Sequence, residues 1–380
     1  MQRGSACVVV VLVMSTASYL LIDKFSEVIP VYTKMVNFAP RPVSNLLQPV
    51  SRLILGAFYS DSEMKDAGFN TSVVSAKWCL PQPRYLPLPP DNQRNCSLPY
   101  VTMNTGGQLG NKLCQYLSLV LIRRVFGVRV AILEAMNGSI SGLFHKLSLP
   151  VEDHKCFPGY SAKLPFSNLY RKLFINNTGN GIVLSNSRLR HYPLSVSSYV
   201  EDCPCPSHLL VPLRDLFRHE LPFRQDIIDK AKERLDNAVK SLHNNTSQNI
   251  TVVTVHVRRT DHLSFIKGAY NLDPLDKTYF QRAFNFYRNR AAVPVFVVTS
   301  DDPKWCQSNI MDKDVVYAGS RDPVSDLVLL SLGDHHVITY GTFGFVSAFL
   351  GRGIIVYPDP TGWPVFPCFN STIIQPINRD

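Results

Sequence analysis

Val252-Val253-Thr254-Val255-His256-Val257, followed directly by Arg258-Arg259-Thr260-Asp261, is a run of branched apolar residues that ends in charge. Such a run reads as a strand covered on both faces, because a strand with one wet face would alternate apolar and polar residues. The signature returns at Val293 to Thr299, Val315 to Tyr317, Val337 to Thr339 and Ile354 to Val356. Between these strands lie segments with helical spacing: Tyr279 to Arg290, Pro303 to Ile310, Pro323 to Leu332 and Phe343 to Leu350. Strand and helix in alternation predict a parallel sheet with helices on both sides. Ligands of such sheets bind beyond the carboxyl ends of the strands. Three loops at those ends therefore matter: His256 to Asp261, Thr299 to Pro303, and Tyr340 to Gly344.

The first loop offers two guanidiniums, and their planar fork matches phosphate oxygens. Alternation along the strand puts His256 and Arg258 on one face and Val257 and Arg259 on the other, so one arginine can face a cleft while its neighbour supports the structure. The third loop enters a helix with a hydroxyl and glycine-flanked N–H groups, an arrangement suited to phosphate. The second brings Asp301 and Asp302, able to accept from a guanine edge or from ribose. Plainer readings stand beside these. Either arginine with Asp261 makes a structural ion pair, and Asp302-Pro303 equally reads as a helix N-cap with proline in the first turn.

Further out, Tyr100 to Met103, the glycine turn Gly106 to Gly110, the helical Asn111 to Phe126 and Val128 to Leu133 open a second alternating unit. Residues 151 to 222 read as irregular, and Phe223 to His243 as a charged helix leading to a junction at Asn244-Asn245. Nine of the 27 prolines fall between Asp23 and Leu98, which reads as a stem. Before it, Ala6 to Ile22 carries no charge and is bounded by Arg3 and Asp23-Lys24, at the short limit for a membrane helix, with a cleaved signal peptide as the alternative. Lumenal placement follows from the Asn-x-Ser/Thr sequences at Asn70, Asn95, Asn137, Asn176, Asn244, Asn245, Asn249 and Asn370, which cluster in apparent loops. Beyond Cys7, the eight cysteines Cys79, Cys96, Cys114, Cys156, Cys203, Cys205, Cys306 and Cys368 form an even set for disulfides. The excess of 39 basic over 29 acidic residues suits an anionic partner, but the basic residues are scattered, which argues against nucleic acid. A P-loop, a serine-hydrolase elbow and a metal-binding Asp-x-Asp in helpful context are all missing, so ATP hydrolysis, serine hydrolysis and a manganese site have no support.

Gly107-Gln108-Leu109-Gly110-Asn111, Val255 to Asp261, Val297-Val298-Thr299-Ser300-Asp301 with Trp305-Cys306, Asp314 to Gly319, and Gly341-Thr342-Phe343-Gly344-Phe345 follow one another in an order that resembles the galactoside α-1,2-fucosyltransferases of glycosyltransferase family 11. The resemblance spans about residues 98 to 360. Its His-x-Arg-Arg element is shared with α-1,6- and protein O-fucosyltransferases, whereas the Gly-x-x-Gly-Asn start and the Gly-Thr-Phe-Gly end point to α-1,2. Two positions depart: Thr260 stands where many members have glycine, and Asp301-Asp302-Pro303 looks more like the α-1,6 enzymes.

The resemblance implies a GT-B-like α/β fold of two facing Rossmann-like domains, an acceptor-side domain over 98–245 and a GDP-fucose-binding domain over 246–380. In front of them would stand a cytoplasmic tail (1–5), a signal-anchor helix (6–22) and a stem (23–97) holding the protein in the Golgi membrane. It implies that Arg258 grips the GDP diphosphate, that His256 orients ribose or phosphate, that Asp301 or Asp302 reads ribose or guanine, and that Thr342 with the amides of Phe343 and Gly344 completes the site. Fucose would pass with inversion to the 2-hydroxyl of a terminal galactose, with no metal and no other cofactor. The base for that hydroxyl stays open among Asp261, His262 and Glu134. A fucosyltransferase of α-1,6 or α-1,3 linkage and an inactive lumenal carbohydrate-binding protein remain as alternatives.

Overall fold

The computed structural model describes residues 99–155, 157, 159, 160, 162–178, 194, 196–243, 249–320, 322–358 and 374–377. The expected tail, anchor and stem lie outside these residues, as do Cys7, Cys79, Cys96, Cys156 and Cys368 and the acceptor positions Asn70, Asn95, Asn244, Asn245 and Asn370. Among the described residues no helix is long and apolar enough to cross a membrane.

The first sheet grows from β1 (Tyr100–Met103), whose four residues are all buried. Helix α1 (Leu109–Phe126) follows, then β2 (Arg129–Val130), α2 (Glu134–Ile140), β3 (Ala162–Leu164), α3 (Phe166–Thr178) and β4 (Ser198–Val200). The strands are all parallel, in the order β2-β1-β4-β3. Helix α1 is buried at every position from Leu113 to Ile122, with Gln115 and Ser118 the polar residues among them, as a helix enclosed in a core is. It stops at Gly127, whose left-handed φ of 64° closes the last turn. The segment read as irregular supplies β3 and β4, and thereby half of this sheet. Asn137 and Asn176 lie in helices α2 and α3 rather than in loops.

A disulfide joins Cys114 in α1 to Cys205, just ahead of α4 (Ser207–Leu210) and α5 (Arg214–Glu220). Cys203 and Cys306 are free thiols. This corrects the expectation that eight cysteines pair off. Cys306 is sealed in the core at 0% exposure, where an apolar thiol packs like a small hydrophobe.

The second sheet contains β5 (Ile250–Val257), β6 (Val293–Ser300), β7 (Val315–Tyr317), β8 (His335–Ile338), β9 (Ile355–Pro358) and β10 (Ile374–Ile377). Its order is β10-β9-β8-β5-β6-β7, parallel throughout. Numbered within itself this is 3-2-1-4-5-6 read from β7, the doubly wound dinucleotide-binding order. Around it run α6 (Gln225–Leu242), α7 (Thr260–Tyr270), α8 (Lys277–Arg288), α9 (Pro303–Asn309), α10 (Pro323–Ser331) and α11 (Thr342–Leu350). Helix α6 lies before the expected boundary at 245, yet its Ala231, Leu235 and Ala238 pack on Val295, Val297, Val328 and Leu329 of the second sheet and α10. Arg234 fastens it further with a 2.6 Å bond to Asp326.

Arg214 on α5 makes another link between the halves. It is 6% exposed and donates to the carbonyls of Ala348 (2.6 Å), Phe349 (3.0 Å) and Gly353 (2.6 Å) at the end of α11. A cation belongs at the negative end of a helix, where the last carbonyls have no partner in the helix itself. Burial lowers the Arg214 pKa to about 10.

Candidate active site

In a doubly wound sheet the crevice opens where the strand order reverses. Here that point lies between β5 and β8, neighbours in the sheet from which the chain departs in opposite directions. The loop after β5 carries Arg258, and the loop after β8 carries Gly341 and Thr342. Thr339 ties the two together, accepting the Arg258 backbone N–H at 2.9 Å on its Oγ1. Gly341 has φ 120°, a conformation open to glycine, and its Cα faces the Arg258 side chain and the His262 ring.

Arg258 is held between two carboxylates. Its Nη2 donates to Asp261 Oδ1 at 2.6 Å and its Nη1 is in short contact with Asp301 Oδ2. The side chain remains 26% exposed, so the fork is positioned but still reachable. Asp301 does more than pair with it. Its Oδ1 accepts the Arg259 backbone N–H at 2.8 Å, and its Oδ2 also takes the Thr260 hydroxyl. In the free protein Asp301 thus organises the arginine loop. Asp302 accepts the Trp305 backbone N–H at 3.1 Å and caps α9 ahead of Pro303, the plainer of its two sequence readings.

Arg259 goes the other way. Its guanidinium lies 3.9 Å from the centre of the Trp305 ring, its Nη1 reaches the Leu275 carbonyl at 3.3 Å, and its Nε stands 3.5 Å from Asp302. The alternation read from the strand places the two arginines as the structure does. Thr260 starts α7 at φ 27°, a left-handed value that is unusual for a β-branched residue and marks local strain. Glycine at this position would relieve it.

The first turn of α11 sits on His256. The imidazole is 6% exposed, 5.0 Å from the Phe343 ring, and a Cβ on Gly344 would fall 2.7 Å from its Nδ1. Burial lowers its pKa to about 4, so the ring is neutral. Nδ1 has no partner in the free protein. In that state His256 supports the α11 turn from below and does not face the open cleft.

Helix α1 meets the same turn from the first sheet. A Cβ on Gly110 would fall 2.4 Å from the Phe343 nitrogen, and the Thr342 hydroxyl is in short contact with Asn111 Oδ1. Two helix N-termini, each the positive end of its dipole, therefore come together beside Arg258. Sequence reasoning used Gly110 and Asn111 as family markers and missed this role, and it missed Thr339 as well. The Gly-Asn pair opening a helix was the available signal.

Asp261 is exposed, and its carboxyl is held below the usual range chiefly by the Thr260 hydroxyl, with Arg258 adding to this. His262 is lowered to about 4 by burial and by Arg258, so it is neutral near pH 7. Glu134 stands on α2 and accepts the Asn137 amide at 3.1 Å. Among the described residues no three His, Cys, Asp or Glu side chains gather as a metal site.

The family description "Glycosyl transferase family 11" matches residues 68–365. The galactoside alpha-(1,2)-fucosyltransferase 2 of Pongo pygmaeus is 30% identical over 261 residues, covering 67% of this chain and 70% of its own. That of Oryctolagus cuniculus is 31% identical, covering 67% and 68%. Among solved structures, the NodZ alpha-1,6-fucosyltransferase soaked with GDP-fucose aligns at a TM-score of 0.41 and 13% identity, over 70% of this chain and 97% of that one. The His-x-Arg-Arg loop, the glycine-led turn of α11 and the Gly-Asn opening of α1 stand together at one crevice in a chain matched over most of its length, and the chain belongs to glycosyl transferase family 11.

Proposed function

We propose that the protein is a galactoside 2-α-L-fucosyltransferase, moving L-fucose from GDP-β-L-fucose to the 2-hydroxyl of a terminal β-galactoside with inversion. The family membership carries this reading, through relatives that bear that activity in their names. The geometry supports it. Departing GDP accumulates negative charge, and Arg258 beside the converging ends of α1 and α11 is a fixed positive environment for a diphosphate. Such an environment can take the place of a metal ion, so turnover is expected to persist in excess EDTA. The two sheets would act as the facing halves of a GT-B-like enzyme, the second holding the nucleotide and the first bounding the acceptor. A direct displacement also needs a base for the attacking hydroxyl. Asp261 and His262 flank Arg258 and are the two candidates for that base at the arginine loop.

The apolar run 6–22 and the acceptor asparagines support a Golgi-lumenal, single-pass type II placement. A mobility shift of the full chain on endoglycosidase treatment tests it. The activity test is incubation of the full chain with GDP-fucose and lactose, followed by linkage mapping of the product. Fucose at galactose O2 is the expected result. Fucose in α-1,6 or α-1,3 linkage would replace this reading with another fucosyltransferase. The absence of both product and GDP binding would leave a carbohydrate-binding protein.

A further inference from the structure

The described residues expose only three large apolar side chains: Tyr160, Val196 and Phe265. Tyr160 stacks on Tyr199 with ring centres 4.5 Å apart. Phe265, on α7, is the most exposed at 51%. Helix α7 buries Ile266 toward the sheet and turns another face outward, on which Phe265 lies between His262, 5.6 Å away, and Tyr270, 5.8 Å away. At one end of this row the His262 ring approaches Gly341 and Arg258. At the other, Tyr270 neighbours Cys203, which is hydrogen-bonded to Gln115, and Gln115 in turn accepts the Gly106 backbone N–H at 3.3 Å. The aromatic row therefore starts beside the arginine loop of the second sheet and ends at Tyr270, on the side of the first.

We propose that Phe265 is the stacking face for the acceptor's galactose ring and the residue that sets acceptor affinity, with His262 on one side and Tyr270, whose ring stands at 77° to that of Phe265, as a wall on the other. This rests on the fucosyltransferase reading and names a subsite within it. The C–H face of a galactopyranoside is a small apolar patch with partial positive charge, and it complements the negative face of an aromatic ring. The patch fits one sugar ring. It is far too small for a stable protein interface, which needs on the order of 800 Å² per partner. Its neighbours have polar tips, a ring nitrogen on His262 and a phenol on Tyr270, which suits a ligand rimmed with hydroxyls. A sugar seated there would have its hydroxyls beside His262 and the Arg258 loop, where transfer takes place.

The test compares Phe265→Ala, Phe265→Trp and Val196→Ala with the unaltered full chain in detergent. Lactose is titrated at saturating GDP-fucose, and GDP affinity is measured alongside. Removing one aromatic face should raise the lactose KM about five- to tenfold. Tryptophan should restore it, Val196→Ala should not move it, and GDP affinity should hold in all three. An unchanged lactose KM in an active Phe265→Ala enzyme overturns the proposal, as does a parallel loss of GDP affinity or a change in oligomeric state. A wild-type chain that transfers no fucose would sink the fucosyltransferase reading itself, a result distinct from a failure of the stacking face.

Discussion

In the second sheet β5 and β6 each run for eight residues, and their C-terminal halves are buried, whereas no strand of the first sheet exceeds four. The long strands bring a charged loop to a fixed place through their own apolar pattern. The short ones acquire position from neighbours: β4 lies between β1 and β3, and α1 is stapled to Cys205. One half of the site is thus set by local sequence and the other by contacts across the molecule. On the function proposed above, the half set by local sequence would hold the donor and the half set by long-range contacts would bound the acceptor.

The sharpest way to break this contrast is Arg258→Lys. Lysine keeps the charge and loses the fork, so turnover with GDP-fucose should fall by about 3 to 4 kcal/mol, roughly a hundred- to a thousandfold. Melting temperature should move little, since the side chain is partly exposed and lysine keeps a cation between Asp261 and Asp301. Retained turnover would show that the long-strand half does not hold the donor as described.

Gly110→Ala probes the seam between the halves. The new Cβ meets backbone rather than a yielding side chain, so α1 and α11 must separate, at a cost of about 1 to 3 kcal/mol. Urea midpoints and GDP affinity should fall together. A stable variant that binds GDP weakly would instead place the effect in the cradle alone.

Arg259→Lys sharpens the contrast within one loop. Loss of the flat stack on Trp305 should cost about 1 kcal/mol of stability, with a smaller loss of turnover than Arg258→Lys. If Arg259→Lys abolished turnover in a folded protein, the roles of the two arginines would have to be exchanged.

A separate effect, on stability and not on turnover, is expected from pH. His256 is held at about 4 and His336 at about 3 by burial, below the usual value near 6.5. As pH falls through about 6.5, the unfolded chain takes up protons that the folded chain refuses, so stability present above that pH declines toward pH 4. Melting temperature should drop across that window, and His336→Gln should flatten the slope.

The second sheet was readable because branched residues repeat at strand spacing between helices of helical period. β3 and β4 were not, since Ala-Lys-Leu and Ser-Tyr-Val have no pattern until β1 pairs with the second of them. β10 escaped as well. Its Pro376 cannot donate to a ladder and is admissible because the strand stands at the edge of the sheet. Helix α7 was hidden behind Thr260, whose strained start reads as a continuing loop. In the site, the facing of Arg258 and Arg259 came from simple alternation, and the N-cap of Asp302 from its proline. The work of Asp301 in fastening the arginine loop, and of Gly110 and Asn111 against α11, depends on residues far apart in the chain that no local pattern links.

Arg214 places a demand on the order of synthesis. It leaves the ribosome 135 residues ahead of Phe349, whose carbonyl it serves. Until the segment 342–353 has emerged and wound into place, a guanidinium destined for burial has no carbonyls to satisfy it, and enclosing it early would leave a charge stranded in apolar surroundings. The Arg214 region must wait, incompletely closed, for a segment more than a hundred residues downstream. A nascent chain cut short before residue 348 carries an exposed and unfinished surface, the sort of feature that chaperones bind.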